Sequence, residues 1–183
     1  MQLTPKTVIL KDGRTALLRT PRPDEAGALT AMIKKAWGET DFLLRGAEDV
    51  ADITLESERA WIENAVASEN KLVIICDIGG IIAGISEIGF FTKQKVKHRA
   101  SIGVTVLKDY WNLGIGSAFF TELIAAATAR DEIEIVELEF IEGNSRARAL
   151  YEKFGFRIVS QKPDAIRLKD GTYRNEYYMQ KRL

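Results

Sequence analysis

The stretch VTVLKDYWNLGIGSAFF, residues 104–120, largely decides how this sequence is expected to fold. It begins with residues typical of a β-strand and ends in good helix formers, with Gly114 and Gly116 at the junction. The first turn of a helix exposes unpaired N–H groups at the positive end of the helix dipole. Glycines there let a bulky anion approach the main chain, so the stretch predicts a phosphate or diphosphate site.

The same two glycines also fit a purely structural role, in which they relieve crowding where the helix leaves the sheet. A dinucleotide-binding fingerprint is not matched, because Phe119 stands where its third glycine is required. A P-loop is not matched either, because no Gly-Lys-Ser/Thr ends the turn. The glycine pair alone therefore indicates an anion site without identifying the anion.

The remaining segments predict elements in the order ββααββ-β-α-β-α-ββ. Two hairpins are expected, with turns at Asp12-Gly13 and at Gly79-Gly80. In the stretch EIVELEFIEG, Val136, Leu138 and Phe140 alternate as in a strand and leave Glu137 and Glu139 together on the other face. The order predicts an α/β protein with a mixed sheet and helices on both faces.

Composition sets the class of protein. The chain has 183 residues, 46% of them hydrophobic, which predicts one domain over 1–183. Twenty-six Lys and Arg balance 26 Asp and Glu, which argues against a nucleic-acid partner. No apolar run is long enough to span a bilayer, and the first residues do not resemble a signal peptide. With one cysteine, Cys76, we expect a cytoplasmic protein without membrane association.

His98 is the only histidine. It lies in a basic, loop-like run, and the sequence has no G-x-S-x-G elbow, so a Ser-His-Asp hydrolase is a poor fit. One histidine and one cysteine also leave no set of ligands for zinc, and we predict no metal site.

The quoted stretch, together with NSRARALYEKFGF at 144–156, resembles the GNAT superfamily of acyl-CoA-dependent N-acyltransferases. The first piece is similar to the coenzyme-binding strand, loop and helix of that family, and the second to its N-x-x-A-x-x-L-Y-x-x-x-G-F helix. The resemblance covers about residues 14–183. It implies a mixed, mostly antiparallel sheet of about seven strands flanked by about four helices.

The resemblance also implies an activity. Acetyl-CoA would be the co-substrate, and the acetyl group would pass directly to a primary amine in a ternary complex. The acceptor would be a small-molecule amine or a protein amino terminus, and a homodimer is compatible with the family. The alternative is a non-catalytic acyl-CoA-binding or sensor module of the same fold.

The coenzyme site follows from the resemblance residue by residue. The main chain of Val104, Thr105 and Val106 would run beside the pantetheine arm. Asn144 would reach the same arm with its amide, in addition to or instead of capping its helix. The diphosphate would be held by the N–H groups of Asn112, Leu113, Gly114, Ile115, Gly116 and Ser117.

One position departs from the family pattern. The family loop usually begins with Gln or Arg three residues before the first glycine, where this chain has Trp111. The change removes a cationic contact that could strengthen coenzyme binding, but it leaves the main-chain cradle in place.

Tyr151 is the candidate general acid for the departing thiolate. A free thiol has a pKa near 8.5, so protonating the leaving group eases its departure. The competing interpretation is that Tyr151 only packs in an apolar stripe with Leu150 and Phe154.

The amine nucleophile needs a base, because an alkylammonium is only about one part in a thousand neutral at pH 7. Glu139 is our choice. It lies five residues before Asn144, where ribosomal-protein alanine N-acetyltransferases of the family are similar in having a glutamate. We expect it to be partly buried beneath the acceptor. Glu137, Glu87 and water remain alternatives.

The resemblance places the acceptor pocket against about residues 24–68 and the last two strands. Phe42, Leu43 and Leu44 could add an apolar wall or anchor the loop. Acidic residues of the segment 39–50 would favour a cationic amine; they are Glu39, Asp41, Glu48 and Asp49.

Overall fold

A computed structural model describes residues 1–46, 49 and 53–183. Its centre is one eight-stranded sheet in the order β1-β2-β3-β4-β5-β6-β8-β7. The strands are β1 (Lys6–Ile9), β2 (Thr15–Arg19), β3 (Lys71–Ile78), β4 (Ile81–Phe90), β5 (Arg99–Val106), β6 (Ile135–Ile141), β7 (Arg157–Arg167) and β8 (Tyr173–Arg182). The helices are α1 (Ala26–Glu39), α2 (Leu55–Ala67), α3 (Ile115–Thr128) and α4 (Ser145–Lys153). The predicted element order, which contains eight strands, and the mixed α/β class are confirmed; the resemblance implies about seven strands.

The sheet opens at one point. All neighbouring strands pair antiparallel except β5 and β6, which are parallel. Those two strands pair only over Arg99–Ser101 and Ile135–Glu137, and beyond this short ladder no pairing joins them. Two strands that start together and then separate leave a wedge-shaped cleft between their carboxyl ends.

Each face of the sheet buries its own core. On one face, α3 contributes Phe119, Phe120 and Leu123, none of which is exposed to solvent. The partly buried side of α4 packs against the same cluster. On the other face, α1 and α2 pack against each other and contribute Leu29 and Ile62. The alternation of β5 and β6 thus decides which of their side chains pack against α3 and which point to the opposite face of the sheet.

Cys76 lies within the first core and is fully buried, and this burial raises the pKa of its thiol to about 12. Within the described residues, no helix has both the length and the apolar composition needed to cross a membrane.

Candidate active site

The cleft between β5 and β6 contains a cavity of about 1040 Å³. Most of the residues predicted for the site line it: Glu87, Val104, Thr105, Val106, Asn112, Gly114, Ile115, Gly116, Ser117, Glu137, Glu139, Asn144 and Tyr151. Leu113 does not line it, because its side chain packs against the core. We call the end of β5, residues 111–117 and α4 the coenzyme half. The acceptor half consists of residues 40–44, β6, β8 and Glu87.

The main chain of β5 presents alternate residues to the cleft. Arg99, at the start of β5, and Leu107, just after its end, each form a main-chain hydrogen bond with the β4 side of the sheet. The donor–acceptor distances are 3.1 and 3.0 Å. In an antiparallel ladder the direction of the N–H and C=O groups alternates, so even-numbered residues point into the cleft. Val104 and Val106 can therefore pair with an extended ligand there. Thr105 cannot, because its main chain is directed towards β4.

The loop before α3 has the geometry of an anion site. Asn112 and Gly114 adopt left-handed conformations, with φ of 64° and 97°. Within the described residues, none of the six N–H groups of 112–117 donates a hydrogen bond. Successive free N–H groups on such a turn converge on one point and attract a negative charge. This donor set fits a diphosphate.

Gly116 also has the structural role that was the alternative explanation. A Cβ atom built at this position would lie 2.8 Å from Cδ2 of Leu150 in α4. The missing side chain thus allows close contact between α3 and α4 while leaving the N–H of Gly116 accessible from the cavity. The two explanations are compatible.

Asn144 is the N-cap of α4. Its Oδ1 accepts a hydrogen bond from the N–H of Ala147 at 3.2 Å. The side-chain amide group has no other partner in the described part of the chain, and Asn144 lines the cavity. The amide NH₂ is therefore available to a ligand while the oxygen caps the helix.

Tyr151 is anchored by aromatic packing. Its ring centroid lies 5.4 Å from that of Phe120 and 5.9 Å from that of Phe140. Burial raises the pKa of its hydroxyl to about 12, so the group is protonated at neutral pH. Packing and chemistry do not exclude each other here, because the ring is fixed while the residue lines the cavity.

Glu137 is the most constrained glutamate of the acceptor half. Its side chain is 8% exposed and accepts a hydrogen bond from Nε of Arg99 at 2.6 Å. The hydroxyl of Tyr178 donates to the same carboxylate oxygen. With one oxygen bonded to two fixed donors, Glu137 braces β6 against β8 and β5.

Glu139 and Glu87 are more accessible. Glu139 is 47% exposed and accepts a hydrogen bond from Lys162 of β7 at 2.9 Å. Lys162 also reaches Glu176 of β8, at 2.7 Å. Glu87 is 39% exposed and pairs with Lys71 at 3.0 Å. The partial burial expected for Glu139 is thus modest without an acceptor in the cleft.

The described residues of the segment 39–50 give the cavity apolar walls. Phe42, Leu43 and Leu44 line the cavity. Glu39 instead accepts from the N–H of Lys108, and Asp49 from the N–H of Gly46. Asp41 is exposed but does not line the cavity, and Glu48 lies outside the described residues. Among the described residues, the acidic charge of the acceptor half comes from strands, and a contribution from the segment 39–50 stays a prediction.

Cavity residues missed from the sequence include three that matter for the site, Glu176, Tyr178 and Arg146. Glu176 and Tyr178 alternate on β8 and pair across from Ile141 and Glu139 of β6. Their period-two spacing is visible in YRNEYYMQKR, but their position beside β6 depends on a register that the sequence does not show. Arg146 lies inside the recognised helix motif and could have been weighed there.

Comparisons with known proteins agree with this geometry. The sequence model of the Acetyltransferase (GNAT) family matches residues 33–156. L-amino acid N-acetyltransferase AaaT of Escherichia coli K12 is 26% identical over 123 residues, which are 67% of this chain and 75% of that protein.

Solved structures extend the match to almost the full chain. A GNAT-family acetyltransferase from Streptococcus pneumoniae superposes with a TM-score of 0.85 at 28% identity, covering 92% of this chain and 99% of the other. The acetyltransferase yncA of Salmonella typhimurium, solved with its cofactor acetyl-CoA, gives 0.76 at 18% identity and covers 91% and 92%. The match to the family model over residues 33–156, together with these relatives, the cleft and its free N–H groups, shows that the chain belongs to the acetyltransferase (GNAT) family and is an acetyl-CoA-dependent N-acetyltransferase.

Proposed function

We propose that the acceptor is a primary amine that carries a positive charge and has no carboxylate beside it. Four glutamates line the cavity on the acceptor half: Glu87, Glu137, Glu139 and Glu176. Among the described residues, the lysines and arginines that line the cavity all lie on the opposite side; they are Lys11, Arg146 and Lys153. A free carboxylate in the acceptor half would meet like charge, because the cations on this side, Lys71, Arg99 and Lys162, are already paired with these glutamates.

One contact carries this proposal. The ammonium of Lys162 lies 2.9 Å from Oε1 of Glu139 and 2.7 Å from Oε2 of Glu176. The pair of carboxylates therefore already accommodates an alkylammonium supplied by the protein itself. An acceptor ammonium has the same charge and the same donors, so it can take this position when Lys162 turns outward to solvent.

We propose Glu139 as the base that takes the proton from the acceptor. Its partner Lys162 is 57% exposed and sits on the edge strand, so the carboxylate can exchange that partner for an acceptor. Glu137 is less suited, because Arg99 and the Tyr178 hydroxyl both bond one of its oxygens. Glu87 keeps Lys71 as its partner and remains the second candidate.

We propose the coenzyme half as the acetyl-CoA site. The N–H groups of 112–117 would hold the diphosphate, and Val104, Val106 and Asn144 would bond the pantetheine arm. Acetyl-CoA supplies the activated acetyl group. The acceptor ammonium would first lose one proton to Glu139, which passes it to solvent, and the neutral amine would then attack the thioester carbonyl. As the C–S bond breaks, Tyr151 would donate its proton to sulfur, and the second proton released by the new amide nitrogen would restore the Tyr151 hydroxyl, so that protons and charge balance.

Three further features are proposals of the same kind. We propose that the chain acts as one domain over 1–183, because one sheet takes strands from Lys6 to Arg182. A cytoplasmic location and a homodimer are proposed from the sequence and the family, and scattering of the purified protein tests the second.

A matched panel of amines tests the acceptor. Release of free thiol from acetyl-CoA is measured with a diamine, with L-amino acids, with the corresponding L-amino acid amides, and with a short peptide bearing a free amino terminus. We expect kcat/KM for each amide to exceed that for its free acid by about tenfold, a difference of about 1.4 kcal/mol. Equal or faster turnover of the free acids would overturn the proposed charge selection.

A further inference from the structure

One face of α4 packs along the loop that precedes α3. Arg146, Leu150 and Lys153 follow each other at helical spacing on this face. Leu150 meets Gly116, and Nζ of Lys153 lies 3.5 Å from the hydroxyl of Ser117. Arg146 reaches the beginning of the loop, so α4 brings two cations along the segment whose N–H groups are free.

The contact of Arg146 is a stack on Trp111. The guanidinium carbon lies 3.3 Å from the centroid of the indole ring. Within the described residues, Arg146 has neither a hydrogen bond nor an ion pair with a carboxylate. Other arginines of the cleft region differ: Arg99 is bonded to Glu137, and Arg148 of the same helix is bonded to Glu152.

Trp111 is itself fixed in place. Its indole Nε1 donates a 2.7 Å hydrogen bond to the carbonyl oxygen of Val106, at the end of β5. The ring therefore forms a rigid platform directly before the first free N–H group, that of Asn112. Burial lowers the pKa of Arg146, which means that its charge is partly deprived of water and gains from an anion beside it.

We propose that Arg146, stacked on Trp111, supplies the cation that binds the diphosphate of the coenzyme. The proposal rests on the coenzyme site proposed above, where the free N–H groups of 112–117 hold the same group. Trp111 stands where the family loop usually begins with Gln or Arg, and its ring positions a guanidinium from α4 beside the same loop. The positive charge beside the diphosphate is thus supplied by α4 instead of by the loop.

Two other roles for Arg146 predict different results. The guanidinium slightly lowers the pKa of Tyr151, an effect smaller than that of burial, so it is within electrostatic range of the reaction centre. It could therefore act on the thiolate instead of the diphosphate. The stack could also close the empty cleft as a latch that the coenzyme has to open.

Titration calorimetry of the full chain separates these roles. The ligands are CoA, dephospho-CoA, which lacks only the 3′-phosphate, and pantetheine, which lacks all phosphates. The variants are Arg146→Ala, Arg146→Lys and Trp111→Ala, with Arg148→Ala as the control that removes the same charge from the exposed face of α4.

We expect Arg146→Ala to raise Kd for CoA and for dephospho-CoA by the same factor, about thirtyfold, as for loss of a charge-assisted hydrogen bond. Trp111→Ala should raise both by about fivefold, because the guanidinium loses its platform. Arg146→Lys should raise both Kd values by a factor between these two, since lysine keeps the charge but cannot stack or bind with two parallel donors. Pantetheine binding should not change, and Arg148→Ala should match the parent.

Four results would overturn the proposal. A loss for CoA alone would assign Arg146 to the 3′-phosphate, and tighter binding by Arg146→Ala would make the stack a latch. Unchanged Kd values with a lower kcat would place Arg146 at the thiolate, and an equal loss with Arg148→Ala would leave only a general charge effect. If the parent itself binds pantetheine as tightly as CoA, the phosphate cradle fails, and not Arg146 alone.

Discussion

The two halves of the cleft present different kinds of chemical group to a ligand. In the coenzyme half, the groups available to a ligand are mainly main-chain N–H and C=O groups, set by two left-handed residues and by the alternation of β5. In the acceptor half they are side-chain carboxylates on the three strands β4, β6 and β8, each with a cationic partner elsewhere in the chain. Ligand binding in the coenzyme half should therefore be sensitive to changes in backbone conformation. The kinetics of the acceptor in the other half should be sensitive to changes in charge.

This difference has a physical origin. A coenzyme that is the same for every turnover can be bound by a rigid main-chain cradle, which needs no particular side chains. An acceptor has to be recognised and deprotonated, and only side chains can supply a carboxylate for that purpose. Under the proposed function, the ion pairs of Lys162 keep Glu139 and Glu176 compensated until an acceptor takes the place of this lysine.

Tyr151 belongs to α4 of the coenzyme half but its ring also contacts Phe140 of β6 in the acceptor half, and its substitution should give the largest effect. We expect Tyr151→Phe to lower kcat by about a hundredfold, as for loss of a general acid. Calorimetry should give an unchanged Kd for acetyl-CoA, because the ring contacts with Phe120 and Phe140 are retained. A loss of kcat below about threefold, with chemistry shown to be rate-limiting, would leave Tyr151 as a packing residue.

The pKa of Tyr151 adds a second measurement. Because burial raises it to about 12, the hydroxyl remains protonated throughout the range of pH 6–9. The proton is lost only as pH rises through that value, so Tyr151 should contribute no alkaline limb to the kcat profile below pH 10. An alkaline limb that Tyr151→Phe abolishes would contradict the raised pKa.

Glu139→Gln tests whether the acceptor half depends on charge. We expect kcat/KM at neutral pH to fall by about thirtyfold, less than the usual hundredfold, because water can take the proton in a half-exposed site. The part of the acidic limb that comes from protonation of the base should disappear, since glutamine cannot be protonated in this range, and only the rise that follows deprotonation of the amine should remain. Higher pH should partly restore the rate, because more of the amine is then neutral.

The other glutamates serve as matched controls for Glu139. Glu137→Gln should lower the melting temperature, because Arg99 and Tyr178 lose the buried carboxylate that they bond. Glu87→Gln should leave both the pH profile and the melting temperature close to those of the parent. If Glu87→Gln or Glu137→Gln abolishes the acidic limb while Glu139→Gln keeps it, the base has been assigned to the wrong residue.

The coenzyme half was easier to predict from the sequence for the same reason. Gly114 and Gly116 are neighbours of the groups they expose, so a short stretch of sequence contains the whole cradle. Glu139 could be placed on its face by alternation alone. Its partners Lys162 and Glu176 lie 23 and 37 residues further along the chain, and only the pairing of β6, β8 and β7 brings the three together.

Some local details also could not be predicted from the sequence. Thr105 was expected beside the pantetheine, yet the direction of its main chain follows from which neighbour β5 pairs with along its whole length. The stack of Arg146 on Trp111 requires the packing of α4 against the loop, which depends on the small volume of Gly116. The alternation of residues along a strand predicts which face of the sheet a side chain lies on. Contacts between elements depend in addition on how the strands and helices pack together.

Gly114→Ala tests the dependence of the coenzyme half on backbone conformation. Gly114 has φ of 97°, and a Cβ there would meet no atom closer than 3.9 Å, so only conformational strain is introduced. That strain should lower the free energy of unfolding by about 1 kcal/mol. Relaxation of the loop should raise Kd for CoA by about tenfold, or 1.4 kcal/mol.

Gly171→Ala is the control for this substitution. Gly171 has φ of 86° in the turn between β7 and β8, and a Cβ there meets nothing within 4 Å. Both variants should lose similar stability in chemical denaturation, and only Gly114→Ala should lose affinity. Equal Kd values for the two would show that the left-handed residue is needed for folding alone.

Lys162→Ala should give the smallest effect, and its direction is diagnostic. Hydrogen bonds to Glu176 and Glu139 raise the pKa of Lys162, so it carries its charge at every working pH and competes with a cationic acceptor. Removing it should lower KM for a diamine by about threefold, the size expected for an exposed ion pair, with kcat little changed. Added salt should narrow the gap between variant and parent, because salt screens the parent's ion pairs. Lys71→Ala, which frees Glu87 instead, is the matched control. A higher KM in Lys162→Ala would show that this lysine helps to bind the acceptor, and the acceptor half would then select for a group that includes negative charge.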